Sequence, residues 1–266
     1  MLIRIRYLRF AGAAVSLLLT TACHPHTRPY VVPAAPTVVR VVFVGDSLIH
    51  RSAEDHGMLD AVARELARRH PALQFEIVDA GVNGNMIADI QARLDDDVIA
   101  LAPAAVVLYW DSDVSDVDES HMSTSEVAAQ RVAYRGVLQD VVTRLIASGT
   151  HVIVSGPTLI GEAPRGTNPK DGMLDEYRRI NRAVARSVSV PYIDTRRAFL
   201  EQLKGQLAAG QDRNPLTEDG EHLNAAGAAL AQQQFVAALD WWLRARPIPA
   251  PRSQGDATRP SRRPAP

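Results

Sequence analysis

The sequence contains very little cysteine, since Cys23 is the only one among 266 residues. A single cysteine excludes a disulfide within the chain. Long apolar runs are also missing, although 46% of the residues are hydrophobic. A chain of this length and composition supports one sizeable domain with a buried core, together with short tails.

Positive charge is scarce in the central part of the chain. Residues 1–38 carry four arginines and no acidic residue, and residues 244–266 carry six arginines and one aspartate. Because the whole chain has a net charge of −1, the central part is left with −10. Binding to nucleic acid needs clustered Lys and Arg to neutralise phosphates, so the acidic centre argues against such a partner.

The N-terminus has the pattern of an export signal over residues 1–22. Three arginines precede the apolar stretch FAGAAVSLLLTTA, which is too short for a membrane-spanning helix. Cys23 follows directly and resembles the lipid-modified cysteine of a bacterial lipoprotein. The alternative is ordinary cleavage after Ala22, which would release a soluble protein. We expect an exported, lipid-anchored protein of the cell envelope, at the outer membrane or the periplasmic face.

The remaining chain divides into a linker, one domain and a tail. Residues 23–37 are rich in proline and predict a tether, and residues 244–266 predict a disordered tail rich in proline and arginine. Between them, short β-branched runs alternate with amphipathic helical patterns. The predicted strands are residues 37–44, 73–81, 104–110, 151–157 and 190–195. This alternation predicts a three-layer α/β/α domain with a five-stranded parallel sheet over residues 38–243.

A serine follows the first predicted strand in the tetrapeptide Gly45-Asp46-Ser47-Leu48. Ligands of open parallel sheets bind beyond the carboxyl ends of the strands, which is where this serine falls. The same residues also suit the start of a helix, because an Asp or Ser oxygen accepts from free N–H groups there. A nucleophilic serine would need a base, a group that orients the base, and donors for an oxyanion.

The candidate base is His222, which follows Asp219 by three residues near the C-terminus. Groups three residues apart on one helical turn lie on the same side. A carboxylate there holds an imidazole in one tautomer and stabilises its charged form. The alternative is a surface Asp-Gly turn with a histidine just inside the next helix.

These motifs in this order resemble the SGNH (GDSL) hydrolase family over residues 38–243. The motifs are GDSL after the first strand, GVNG after the second, an Asp-bearing loop after the third, and Asp-x-x-His near the C-terminus. The resemblance implies a flavodoxin-like fold and hydrolysis of acyl esters without metal or cofactor. It implies that Ser47 is the nucleophile, His222 the general base and Asp219 its orienting residue. The N–H groups of Ser47 and Gly84 would bind the oxyanion.

The third motif departs from the family pattern Gly-x-Asn-Asp. Trp110 stands in the place of the glycine and Ser112 in the place of the asparagine, whose side chain is the third oxyanion donor in the family. Loss of one such donor costs about 2.7–4 kcal/mol of transition-state stabilisation. Ser112 is expected to replace it, with Asn83 or Asn85 as alternatives; otherwise activity is low. Asp111 beside an oxyanion would favour a degenerate enzyme.

Other functions remain open at this point. VVLYWDSDVS resembles the strand and Asp-x-Asp-x-Thr of haloacid dehalogenase-type phosphatases, with Asp111 as nucleophile, Asp113 as acid/base and Mg²⁺ bound, but only two lysines exist to supply the downstream lysine. A calcium loop starting at Asp111 lacks the required Gly and Glu. A non-catalytic lipoprotein that binds a carbohydrate or peptide is the third possibility. The sequence as a whole favours a serine esterase acting on an acylated glycan, lipid or small ester.

Overall fold

The structure, a computed structural model, describes residues 37–53, 57–163, 166–208 and 214–245. The predicted signal, the lipidation site Cys23, most of the linker and nearly all of the tail lie outside these residues. None of the helices within the described ranges is long and apolar enough to cross a bilayer.

Five parallel strands form the central sheet in the order β2-β1-β3-β4-β5. The strands are β1 Thr37–Gly45, β2 Leu73–Gly81, β3 Ala105–Tyr109, β4 His151–Ser155 and β5 Tyr192–Ile193. This order is that of the flavodoxin-like doubly wound folds. The predicted α/β/α architecture with a five-stranded parallel sheet is confirmed.

Eight α-helices lie along the described part of the chain, with 3₁₀ turns after α1 and α3. They are α1 Ser47–His50, α2 Met58–Arg69, α3 Ile87–Asp97, α4 Ser112–Ser115, α5 Thr124–Ala147, α6 Asp171–Ser187, α7 Thr195–Ala208 and α8 Ala225–Ala245. The short helices α1 and α4 directly follow β1 and β3, where functional loops of such folds are found.

Alternation along the strands divides the core into two layers, one on each face of the sheet. Val41 and Phe43 of β1 pack on one side with residues of α2, α7 and α8. Val42 and Val44 pack on the other side with residues of α3, α5 and α6. All four side chains are fully buried, as expected for a parallel sheet covered on both faces.

The fifth strand is shorter than the sequence predicts, and a helix that was not predicted follows it. Only Tyr192–Ile193 pair with β4, and α7 begins at Thr195 inside the predicted strand. Asp194 explains the change, because its carboxylate accepts from the N–H of Arg197 at 3.3 Å and caps the helix. Arg178 holds the same carboxylate with two hydrogen bonds of 2.6 Å.

The strand order sets the location of the functional loops. β1 lies between β2 and β3 in the sheet. The chain therefore passes from β1 to β2 on one side and then crosses back to β3 on the other side of β1. A crevice forms at such a switch point, beyond the carboxyl ends of the strands. Gly45 at the end of β1 pairs there with Gly81 of β2 and Tyr109 of β3.

Candidate active site

Ser47 is the first residue of α1 and lies at the switch point. Tight packing brings the backbone into this position, since a Cβ on Gly45 would lie 1.9 Å from the carbonyl oxygen of Tyr109. Asp46 caps the helix, its Oδ1 accepting from the N–H of Leu48 at 3.0 Å. The capping role therefore belongs to Asp46, and the hydroxyl of Ser47 is left for another partner.

That partner is His222, whose Nε2 lies 3.0 Å from Ser47 Oγ across 175 residues of sequence. On the other side of the ring, Nδ1 lies 2.7 Å from Asp219 Oδ2. A carboxylate only accepts, so Nδ1 carries the proton, and Nε2 is left to accept from the serine hydroxyl. The structure thus joins the three residues in one hydrogen-bonded chain from carboxylate to hydroxyl.

A closed loop, rather than a helical turn, brings Asp219 and His222 together. Thr217 and Leu223 form an isolated antiparallel bridge, and α8 begins only at Ala225. Asp219 Oδ1 also accepts from the backbone N–H of His222 at 2.8 Å. The predicted helical turn is therefore wrong for this segment, although the two side chains do meet.

Hydrogen bonds keep the Asp219 carboxylate ionised. Partial burial acts to raise the pKa of Asp219, but hydrogen bonds from the backbone and ring of His222 and from the N–H of Glu221 outweigh it. The pKa falls to about 2, so Asp219 is charged at every pH at which an enzyme of this kind works. A permanent negative charge beside the ring stabilises an imidazolium.

Two backbone N–H groups, those of Ser47 and Gly84, belong to the loops at the ends of β1 and β2. Gly84 adopts φ = +71°, a left-handed conformation that favours glycine. Among the described residues neither N–H donates to a backbone carbonyl in a turn, loop or cap. Their availability fits the predicted role as oxyanion donors, which stays a prediction.

Arg93 of α3 supports the turn that carries Gly84, and the sequence pattern gave no sign of it. Its Nε donates to Asn85 Oδ1 at 2.7 Å, and a terminal nitrogen donates to the carbonyl of Ala80 at 2.7 Å. The same nitrogen lies 3.2 Å from the carbonyl of Gly45. One side chain therefore links the ends of β1 and β2 on which the site is built.

Ser112, predicted as the third oxyanion donor, forms its hydrogen bonds with Asp46. Its Oγ donates to Asp46 Oδ2 at 2.7 Å, and its N–H and that of Asp111 donate to the same oxygen at 2.9 Å. A hydroxyl has one proton to donate, so Ser112 has none left for an oxyanion. The side chain is also buried, with 2% of its surface exposed. In this arrangement Ser112 ties the segment after β3 to the segment after β1, which does not favour its predicted role as an oxyanion donor, and that role stays a prediction.

Asp111 lies inside the protein and does not face the crevice. Thr158 Oγ1 donates to its Oδ2 at 3.0 Å. Burial raises the pKa of Asp111 well above its usual value, and the nearby charges of Asp46 and Glu221 raise it further. A carboxyl group that is 2% exposed is not accessible to a phosphate ester, which does not favour Asp111 as a phosphatase nucleophile. In the ranges that the structure describes, no group of three His, Cys, Asp or Glu side chains is arranged to hold a metal.

Asp113 has a structural role. Its Oδ2 accepts from the N–H of Ile87 at 2.8 Å and from Trp110 Nε1 at 2.9 Å. Burial raises the pKa of Asp113 to about 6, against the lowering effect of these two hydrogen bonds. Trp110, in the place of the family glycine, is thereby fixed in the core between β3 and α5.

A cavity of about 430 Å³ opens beside the Ser47–His222 pair. It lies between α1, the start of α2 and the start of α8. Besides Ser47 and His222, its lining combines charged, polar and apolar side chains: Leu48, Arg51, Ser52, Gly57, Met58, Ala61, Glu218, Leu223, Asn224, Ala225, Ala228, Ala229 and Gln232. A volume of this size is within the range of about 300–1,000 Å³ that small-molecule sites occupy.

Comparison with known proteins places this geometry in context. The GDSL-like lipase/acylhydrolase family model matches residues 43–230. An acetylxylan esterase of Geobacillus stearothermophilus is 26% identical over 229 residues, which are 78% of this chain and 97% of that protein.

Solved structures with the same fold include two esterases. The acetyl xylan esterase AlAXEase superposes with a TM-score of 0.68 at 28% identity, over 76% of this chain and 100% of its own. Axe2, an acetylxylan esterase from Geobacillus stearothermophilus, gives a TM-score of 0.63 at 23% identity, over 77% of this chain and 95% of its own. Variants of Axe2 with a serine, an aspartate or a histidine replaced by alanine are described as catalytic mutants.

Proposed function

The chain belongs to the GDSL-like lipase/acylhydrolase family and is an SGNH-type ester hydrolase, and on this basis we propose that it removes short acyl groups, acetyl above all, from a glycan. The reaction runs through Ser47, His222 and Asp219. The observation that carries the proposal is the unbroken hydrogen-bonded chain from Asp219 through His222 to Ser47, with distances of 2.7 and 3.0 Å.

Acylation begins when Ser47 Oγ attacks the ester carbonyl carbon. His222 Nε2 takes the hydroxyl proton as the new C–O bond forms, and the carbonyl oxygen becomes an oxyanion. The N–H groups of Ser47 and Gly84 bind that oxygen. When the carbonyl re-forms, the bond to the alcohol breaks, and the departing oxygen takes the proton from His222.

Deacylation repeats these steps with water as the nucleophile. His222 Nε2 removes a proton from the water as its oxygen attacks the acyl carbonyl, and Ser47 leaves with that proton. Asp219 stays ionised throughout and holds the Nδ1–H, so the ring keeps one orientation in both halves of the cycle.

Two further observations support the assignment. The aspartate and histidine replaced in the Axe2 variants are three residues apart in that enzyme, as Asp219 and His222 are here. The related proteins are named acetylxylan esterases, which favours an acetyl group and a carbohydrate among the ester substrates that the family accepts.

The proposal extends to the location of the enzyme. The export signal predicted over residues 1–22 and the lipidation of Cys23 would anchor the domain to the cell envelope through a proline-rich linker. Mass spectrometry of the mature N-terminus tests this. An acylated Cys23 supports the anchor, and an unmodified N-terminus rejects it.

The catalytic assignment is tested by replacing each residue and measuring hydrolysis of p-nitrophenyl acetate. Ser47→Ala and His222→Ala should each lower kcat on the order of 10⁴-fold or more, with thermal unfolding unchanged. Asp219→Ala should cost less, because the base remains in place. His121→Ala is the matched control, since His121 is 90% exposed and its nearest acidic partner is 3.9 Å away.

Two outcomes would reject the mechanism. One is a Ser47→Ala variant that keeps the wild-type rate, and the other is a failure of a fluorophosphonate probe to label Ser47. Magnesium-dependent hydrolysis of p-nitrophenyl phosphate that survives Ser47→Ala would support the phosphatase alternative instead.

A further inference from the structure

The cavity beside Ser47 lies on one side of the reacting atoms. Ser47 and His222 line it, whereas Gly84, the second proposed oxyanion donor, does not. Besides Ser47 Oγ, the tetrahedral carbon of the intermediate carries three substituents, namely the oxyanion, the acyl chain and the alcohol, and they point in different directions. Only one of them therefore enters this cavity.

Proton transfer identifies which of the three substituents enters the cavity. The leaving oxygen has to lie within hydrogen-bond reach of His222 Nε2 to take its proton, whereas the oxyanion lies at the N–H groups of Ser47 and Gly84. We propose that the cavity between α1, α2 and α8 binds the alcohol part of the ester, and that this alcohol is an uncharged carbohydrate. The inference rests on the proposed function and adds the location and chemistry of the alcohol site.

Charge balance in the cavity favours a neutral ligand. The guanidinium of Arg51 lies 4.0 Å from the carboxylate of Glu218, and the two side chains, both in the cavity wall, are 49% and 66% exposed. The two charges offset each other, so the described residues of the lining offer no unpaired counter-charge to a phosphorylated or a cationic alcohol. Side by side they offer donors and acceptors, which is what sugar hydroxyls bind.

The rest of the lining suits the faces of a sugar ring. Leu48, Ala61, Leu223, Ala228 and Ala229 supply apolar surface against which the C–H groups of a sugar ring can pack. The side chain of Gln232 uses its Nε2 to bind the carbonyl of Ala61 at 3.3 Å, which leaves its oxygen as an acceptor at the wall. A long fatty alcohol would strip water from Arg51 and Glu218 without replacing their hydrogen bonds.

Ala229 provides a specific test because it lines the cavity from an exposed position on α8. Ala229→Leu fills part of the cavity, and leucine is nearly as good a helix former as alanine. Ala226→Leu is the matched control, since Ala226 is exposed on the same helix and lies outside the lining. Arg51→Gln is a second variant, which removes the positive charge of the guanidinium and changes the volume of the side chain only a little.

The variants are compared on an acetylated xylooligosaccharide, p-nitrophenyl acetate and p-nitrophenyl butyrate. Ala229→Leu should lower kcat/KM for the sugar ester roughly tenfold or more, and Arg51→Gln should raise KM for it. The ratio of acetate to butyrate rates should stay unchanged in both. The hydrolysis rate of the acetyl-enzyme, measured after a burst of p-nitrophenol, should also stay unchanged, because the alcohol has left by then. Ala226→Leu should match the wild type throughout.

A changed acetate-to-butyrate ratio in Ala229→Leu would place the acyl chain in the cavity and overturn the inference. So would unchanged sugar kinetics in both Ala229→Leu and Arg51→Gln. Failure of the proposed function is a separate result, because the wild type would then form no acetyl-enzyme at Ser47 and a fluorophosphonate probe would not label this residue.

Discussion

The carboxylate of Asp46 accepts a hydrogen bond of 2.7 Å from the hydroxyl group of Ser112. This bond joins the residue before the proposed nucleophile to the segment after β3. The same oxygen accepts the N–H groups of Asp111 and Ser112. Asp46 is fully buried and also caps α1. The position of Ser47 is therefore fixed by a carboxylate that receives four hydrogen bonds and takes no part in proton transfer.

This arrangement predicts that Ser112→Ala leaves catalysis almost intact. The variant loses one hydrogen bond to a charged group, which costs about 1.5–3 kcal/mol in the free energy of unfolding, while both backbone N–H bonds to Asp46 remain. Urea unfolding and kcat for p-nitrophenyl acetate measure the two effects. A fall in kcat of about 100-fold or more would show that Ser112 is an oxyanion donor after all.

Asp46→Asn serves as the contrasting variant. An amide turned to accept from Leu48 presents its NH₂ group to the three donors of the β3 loop, which are then left unsatisfied. Each such group costs about 1–3 kcal/mol when buried, so this variant should lose more stability than Ser112→Ala and should also lose activity. Equal behaviour of the two variants would contradict the supporting role of Asp46.

The buried Asp113 predicts a pH-dependent stability. Its pKa is about 6 in the folded protein against a usual 3.8, so the folded state holds this proton more tightly than the unfolded state. Its stabilising contribution is complete below about pH 4 and is lost as the pH rises through 6. Because the pKa differs by about two units between the unfolded and the folded protein, the loss in the free energy of unfolding is on the order of 3 kcal/mol. Asp113→Asn should flatten this decline, as measured by urea unfolding at pH 4, 5, 6 and 7.

Asp118→Asn is the control for that experiment. Hydrogen bonds from Ser120 lower the pKa of Asp118, which is exposed, so its removal should leave the decline between pH 4 and 7 in place. An Asp113→Asn variant with the wild-type slope would mean that Asp113 is ionised in the folded protein.

The buried Arg196 predicts a large loss of stability on replacement. No part of its side chain is exposed, and it donates to Asp175 at 2.8 Å, to Asp171 at 2.6 Å and to the carbonyl of Thr158 at 3.2 Å. Arg196→Met removes a buried charge and all three of these hydrogen bonds, and should cost about 3–5 kcal/mol in the free energy of unfolding. Chemical denaturation followed by circular dichroism measures it.

The neighbouring Arg197 is a matched control. Its ion pair with Glu201 spans 3.3 Å, and both side chains are 69% exposed. Arg197→Met should change stability by less than about 1 kcal/mol, because exposed ion pairs contribute little. Similar losses in the two variants would show that burial of Arg196 does not matter.

The local sequence patterns predicted the parallel sheet well because its inner strands are largely buried on both faces, with every residue of β3 and all but one of β4 buried. The β-branched runs at 37–44 and 151–157 favour such strands. The last strand was overestimated because the cap at Asp194, which starts α7, depends on a hydrogen bond that no hydrophobic period records. The spacing of Asp219 and His222 predicted that their side chains interact, and they do, although the segment that joins them is a loop closed by a β-bridge.

Two kinds of information thus remain distinct in this protein. The sequence by itself determined the alternation of strands and helices, the glycine at the end of β1 and the presence of a serine, a histidine and an aspartate in loops. Only the tertiary structure decided that Ser112 binds Asp46, that Asp111 is buried and that Arg93 links β1 to β2. The reason is physical. Periodicity reports which face of an element is buried, whereas a hydroxyl or carboxyl group takes whichever partner the packed neighbouring loops bring within about 3 Å.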